Sequence, residues 1–140
     1  MQPIAYVFFK NTCREAMDFY AEVFGTTPEY MNFSDMPEDV RAQMPGVPAD
    51  LVMHCALPIG DGWLHASDDP SGGTKAMEGC NVAVSMPTDD ETRRVYEALS
   101  AGGEIRQPLD RAFWTSLFSA FTDRFGIRWM VMTDGPASET

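Results

Sequence analysis

The residues best suited to chemistry are few. His54 and His65 are the two histidines of a 140-residue chain. Imidazole titrates near neutrality and ligates metals, so two on one face, with Asp68 close by, can shuttle a proton or hold a divalent ion. One residue of hairpin register decides whether they meet. A two-residue turn at Gly60-Asp61 sets Ala56 opposite His65 and brings His54 to the same side. A three-residue turn through Gly62 sets Leu57 opposite His65 and points the rings apart. Both registers fit the sequence, and two separate, hydrogen-bonded structural imidazoles are the expectation.

The thiols offer less. Cys13 opens a helix, where the dipole would lower its pKa, yet no base is identifiable beside it, so it reads as a small buried residue. Cys55 and Cys80 fall in strand contexts and read as core. Three widely spaced cysteines without a C-x-x-C pair fit free thiols in a reducing compartment better than disulfides or a zinc knuckle. Asp123, in a turn with Gly126, reads as a cap for backbone N–H groups. No G-x-S-x-G, Walker-type or dinucleotide-binding pattern is present.

Charge narrows the partners. A formal net charge of −11 and a pI near 4.4, with no cluster of Lys or Arg, repel phosphate backbones and anionic lipid. No nucleic-acid or membrane partner is expected. The N-terminal MQPIAYVFFKN lacks a charged leader, and its apolar run is too short for a signal peptide or a span. The expected location is the cytoplasm. Hydrophobic residues form 44% of the chain and include nine Phe, ten Met and three Trp, enough for a core of large, adaptable side chains.

The elements that must position these groups read as a degenerate repeat. A strand at Ile4–Phe9 precedes a helix at about Cys13–Phe24, whose Ala16, Phe19, Tyr20 and Val23 form an i, i+3, i+4, i+7 stripe. Thr12 and Glu15 suit a capping box, and Gly25 suits the stop. A strand near Glu29–Phe33 follows, then a Pro-rich insertion at Met36–Ala49 with one helical turn at Pro37–Met44. Leu51–Ile59 and Trp63–Ser67 form the hairpin, and Asp68–Gly79 links the halves. The second half repeats the order: a strand at Asn81–Met86, a helix capped by Thr88–Asp90 and running to Ser100, then strands at Glu104–Gln107, Leu117–Thr122 and Arg128–Met132. Tyr20 aligns with Tyr96, and Trp63-Leu64-His65 with Trp129-Met130-Val131. Each copy is too small to bury its own sheet, so the two are expected to form one domain over 1–140, with module one at about 1–70 and module two at about 79–135.

The runs YVFFKNTCREAMDFYAEVFG, MHCALPIGDGWLHASD and FTDRFGIRWMVM resemble the PhnB-like branch of the glyoxalase/bleomycin-resistance/dioxygenase (vicinal oxygen chelate) superfamily. The likeness spans nearly the whole chain. It implies an α+β fold of two βαβββ modules, a cupped mixed and antiparallel sheet with helices outside, and a homodimer, in some members domain-swapped. Metal-dependent members take four ligands from the first and last strands of each module. Those positions fall near Ala5, His65, Asn81 and Val131, of which His65 alone is a competent ligand. No metal or other cofactor is therefore expected, with a divalent ion at the two histidines as the alternative.

Strand alternation assigns Tyr6, Phe8, Val82, Val84, Leu64, Ala66, Met130 and Met132 to the side beneath the helices. The opposite side would carry Phe9, Trp63, His65, Ser67, Ser85 and Trp129. These, with His54 and with Trp114 at a rim, form the expected ligand pocket. Phe113 and Trp114 suit a pocket rim and a dimer seam equally. The sequence thus favours a cytosolic small-molecule binding protein without the usual metal cage. The alternative is a metal-dependent or His-assisted enzyme of lyase, dioxygenase or isomerase type; a third reading is an interaction module whose cup is filled by its own side chains.

Overall fold

The structure, a computed structural model, describes residues 1–135. It divides into two units, Met1–Lys75 and Ala76 onward, and each carries four strands and a long helix.

In the first unit, β1 (Ala5–Phe9) leads into α1 (Cys13–Phe24), followed by β2 (Glu29–Asn32). A 3₁₀ turn at Phe33–Asp35 follows, and the short α2 (Glu38–Arg41) lies in the Pro-rich insertion before the hairpin of β3 (Val52–Ile59) and β4 (Gly62–Asp68). The sheet order is β1-β4-β3-β2, with β1 parallel to β4 and the other pairs antiparallel. A parallel first pair needs a crossover, and α1 with its following strands supplies it.

The helix forms because its apolar stripe finds the sheet. Cys13, Ala16, Met17, Tyr20, Ala21 and Val23 are buried, and α1 packs on β3 and β4. Beneath it lie Val7 and Phe9 of β1, Leu64 and Ala66 of β4, and Cys55 and Leu57 of β3. Leu57, Leu64 and Met17 are almost wholly out of water, each worth about 1.5–3 kcal/mol of burial. Gly25 ends the helix in the left-handed region at φ 68°.

The expected capping box is absent: Thr12 makes no side-chain cap bond. Asp68, buried at the end of β4, replaces it. Its Oδ1 accepts from the Cys13 backbone N–H at 3.0 Å and its Oδ2 from that of Val52 at 3.0 Å. One carboxylate from the last strand thus fixes the helix start to the sheet.

The second unit repeats the plan with β5 (Val82–Met86), α3 (Asp89–Ser100), β6 (Glu104–Asp110), β7 (Phe118–Thr122) and β8 (Arg128–Thr133) in the order β5-β8-β7-β6. Thr88 caps α3 by accepting from the Glu91 N–H. The helix face of this sheet holds Trp129, Val131, Phe121 and Ser119, all fully buried, with Met86 and Thr133. Asp123 caps the turn as expected, accepting from the N–H groups of Phe125 and Ile127, and also accepts from the Trp129 indole at 2.9 Å. The free thiols divide: Cys13 and Cys55 are buried, while Cys80 is exposed rather than core.

Candidate functional site

Pairing registers settle which residues share the helix-free sides. In the hairpin, Ala56 lies opposite His65 and Ile59 opposite Gly62. The turn is therefore the two-residue Gly60-Asp61, with Gly60 at φ 57° where a type II′ turn needs glycine. His54 and His65 consequently share a face, their ring centroids 4.9 Å apart and nearly perpendicular. The expectation of two separate imidazoles is corrected.

Tyr6 joins them. In the parallel pair it lies opposite His65, and its hydroxyl is 3.2 Å from His54 Nδ1, the proton direction following the imidazole tautomer. Its ring contacts Phe8 at 5.3 Å, and Trp63 contacts His65 edge-on at 6.2 Å. A continuous row thus runs Phe8, Tyr6, His54 and His65, Trp63 along the open face of the first sheet, with Met31 opposite His54 on β2. Tyr6, Phe8 and Trp63 keep 42%, 54% and 42% of their surface in water. Ser67 extends this face from β4, buried beside Phe8.

Several sequence assignments invert. Tyr6 and Phe8, expected beneath the helix, line the open face, and Phe9 takes their place at 2% exposed. Trp129, expected in the pocket, is fully buried on the helix side, with Val131. Met130 and Met132, expected beneath the helix, fall on the open side of the second sheet with Ala83 and Ser85. The cause is a one-residue error in aligning the halves. Asp68 and Thr133 are the structural equivalents: each ends the last strand opposite the end of the first, Phe9 and Met86. Trp129 therefore corresponds to Leu64, and His65 to Met130. A single step flips every side chain of a strand.

Ser85 is exposed, and Trp114 packs edge-on against Phe113 and Phe118, the latter on the open side of the second sheet. Two concavities of the first unit lie away from the histidines. One of about 380 Å³ is lined by Phe33, Met36 and Met44 among others, and one of about 390 Å³ by Arg14, Asp18 and Asp50 among others.

Burial shifts His65, Cys13 and Cys55 toward their uncharged forms. His65 is pulled below its ordinary pKa of 6.5, first by burial and then by His54. Burial chiefly, then the Asp68 carboxylate, pushes Cys13 well above the usual thiol range, so the dipole does not activate it. Cys55 is pushed up to about 12, mainly by burial.

Metal-dependent members of the superfamily that the sequence resembles need several protein donors at one point. Among the described residues, no three His, Cys, Asp or Glu side chains gather at one point. His54 and His65 offer two donors, Asp68 is committed to backbone N–H groups on the helix side, and Val131 is buried there too. The residues present do not form the three- or four-donor set such an ion needs.

Comparison with known proteins agrees with the fold. A family model described as "Glyoxalase/Bleomycin resistance protein/Dioxygenase superfamily" matches residues 4–131, and the chain belongs to that superfamily. The crystal structure of protein PA1353 from Pseudomonas aeruginosa is 36% identical, with 96% of this chain and 98% of that one covered and a TM-score of 0.85. Protein YjdN of Escherichia coli (strain K12) is 24% identical over 133 residues, 90% of each chain. A putative 3-demethylubiquinone-9 3-methyltransferase, PhnB protein, from Bacillus cereus superposes with a TM-score of 0.76 at 18% identity, covering 96% of this chain and 100% of that one. The Bacillus cereus structure shares the fold.

Proposed function

We propose that the chain is a cytosolic small-molecule binding protein that takes a flat, largely apolar ligand on the aromatic face of its first sheet. One observation carries the reading: Tyr6, Phe8 and Trp63 stand exposed around two imidazoles on the side of the first sheet away from α1. Aromatic rings bind flat ligands by offset or edge contacts, worth about 0.5–1.5 kcal/mol beyond the area buried. His54, His65 and Ser67 supply polar groups that would orient such a ligand. The buried free thiols Cys13 and Cys55 fit a reducing compartment.

Titration with a neutral planar dye, Nile red, tests the reading. Saturable binding that weakens about tenfold in Trp63→Ala and in Tyr6→Ser is expected, from the loss of stacking and area together. Equal binding by both variants would overturn it. Elemental analysis of unchelated protein adds a second arm, since a stoichiometric transition ion lost in His65→Ala would replace the cage-free reading.

The hydrogen bond between Tyr6 and His54, beside a His65 whose pKa burial and His54 lower, favours a second reading in which His65 is a general base. There His65→Gln would abolish turnover of a bound substrate while leaving its affinity intact. A homodimer belongs to the proposal, supported by Phe113, which stands 92% exposed against Trp114; sedimentation of Phe113→Ser beside the parent chain tests that seam.

A further inference from the structure

The second sheet carries an arrangement that the aromatic face does not use. Arg106 and Arg128 lie side by side on its open side, both half-buried. Arg106 donates from Nη1 to Thr122 Oγ1 at 2.5 Å and from Nη2 to Asn81 Oδ1 at 2.8 Å. Arg128 donates from Nε to the same Asn81 oxygen at 3.4 Å. A bulge in β6 between Ile105 and Gln107 leaves Arg106 outside the ladder, the device by which a strand re-aims one side chain. Thr122 pairs directly with Arg128 across β7 and β8.

Like charges so placed repel, and Arg128 lowers the basicity of Arg106, second only to burial, while Glu104 offsets part of that. Acids outnumber bases 21 to 10 in this chain, so a carboxylate partner for each guanidinium would be easily found. Among the described residues, neither Arg106 nor Arg128 makes an ion pair, whereas Arg93 and Arg94 pair with Asp90 and Glu91. Two cations held together by neutral groups, with most of their N–H donors unused, form a fork suited to an oxyanion.

We propose that Arg106 and Arg128, oriented by Asn81 and Thr122, bind the oxyanion of a small acid whose apolar body lies along Met130, Ala83 and Ala120. Those three share the open side, Ala83 and Ala120 both pairing with Met130. Met130 follows Arg128 by two residues, about 7 Å along the strand, the length of an aryl or short aliphatic acid. The net charge of −11 disfavours a polyanion and selects a compact, singly anchored ligand. The site lies wholly in the second unit and stands or falls independently of the aromatic face of the first.

The test uses the whole chain with two probes, benzoate and inorganic phosphate, each against chloride at equal ionic strength. Benzoate is expected to raise Tm saturably and to shift the guanidinium Nε–H resonances of Arg106 and Arg128. Its affinity should fall about tenfold or more in Arg106→Gln and in Arg128→Gln, the loss expected for a charge-assisted hydrogen bond. Phosphate acting in place of benzoate would keep the oxyanion site and reassign the ligand to a phosphate without an apolar body. Benzoate affinity undiminished in both variants, or neither probe moving the two Nε–H resonances, would overturn the proposal. A merely structural role would lower Tm in chloride while leaving the benzoate increment intact. Trp63→Ala should not alter the benzoate response, so this site and the aromatic face can fail separately.

Discussion

The two units share a strand order and differ in what they place on it. Beneath their helices the sheets are alike, closed by buried apolar residues from first and last strands. On the open sides they diverge: rings with two imidazoles on the first, methionine, alanine, Phe118 and an arginine pair on the second. Packing explains the asymmetry. A helix-covered face must keep volume and shape, while a face in water tolerates exchange, so ligand chemistry can change there without losing the fold.

The helix anchors separate the units most sharply in energy. In the first, Asp68 serves Cys13 and Val52 at once; in the second, Thr133 shares its hydroxyl with Thr92 at 2.8 Å and Asp89 at 2.6 Å. Asp68→Ala should cost about 2–4 kcal/mol, because two buried N–H groups lose a charged acceptor. Thr133→Val should cost about 1 kcal/mol, since Asp89 keeps Ser116 and Thr92 keeps the Thr88 carbonyl. Urea melts of the two variants measure the difference; equal losses would mean that Asp68 is not the stronger anchor.

Glycines give the next contrast. Gly25 is needed for its positive φ and has open space around it, whereas a Cβ at Gly103 would sit 2.1 Å from the Thr122 carbonyl oxygen. Gly103→Ala should therefore cost about 2–3 kcal/mol by forcing backbone apart, and Gly25→Ala about 1 kcal/mol of conformational strain. Urea denaturation ranks them, and the reverse order would remove the close approach as the reason for Gly103.

Trp63 and Trp129, aligned in sequence, sharpen the comparison because they lie on opposite sides of their sheets. Trp129→Phe should lose about 1–2 kcal/mol through a cavity and the bond to Asp123, with Nile red affinity unchanged. Trp63→Ala should do the opposite, leaving stability within about 0.5–1 kcal/mol while weakening the dye. A variant that moved both quantities together would blur the division between helix side and open side.

That pair also marks how far the sequence could be read. The strand and helix order, the α1 boundaries and the Asp123 turn were legible, since each rests on local pattern or turn chemistry. The faces were not. Aligning Trp63 with Trp129 matched two indoles by type, whereas equivalence is set by the strand ends at Asp68 and Thr133, a pairing no local pattern reveals. Tyr6 and Phe8 were lost to the candidate site by a like one-residue slip in the first strands, where Val7 and Phe9, not Tyr6 and Phe8, match the helix-side residues of β5. His54 and His65 were resolved by the Gly60-Asp61 turn, for which the sequence allowed two lengths. Arg106 and Arg128 meet through a bulge and a long-range register, and neither has a sequence signature.

The smallest expected effect lies at the position where His65 in the first unit corresponds to Met130 in the second. Burial and His54 hold the folded His65 pKa below its ordinary 6.5, so the unfolded chain binds that proton more readily. As pH falls through 6.5 toward the depressed folded value, the unfolded state takes up more protons and stability drops; below the folded value no further loss arises from this group. Because His65 remains well solvated, the slope should be shallow. His65→Gln should flatten it. His54→Gln should flatten it in part, removing the lesser cause and leaving burial. Amide exchange in β4 and β8, corrected for intrinsic rates and followed across that window, localises the effect. Protection should fall with acidification in β4 and hold in β8, where Met130 has no proton to take; an equal fall in both would assign the pH response to the whole chain rather than to the imidazole pair.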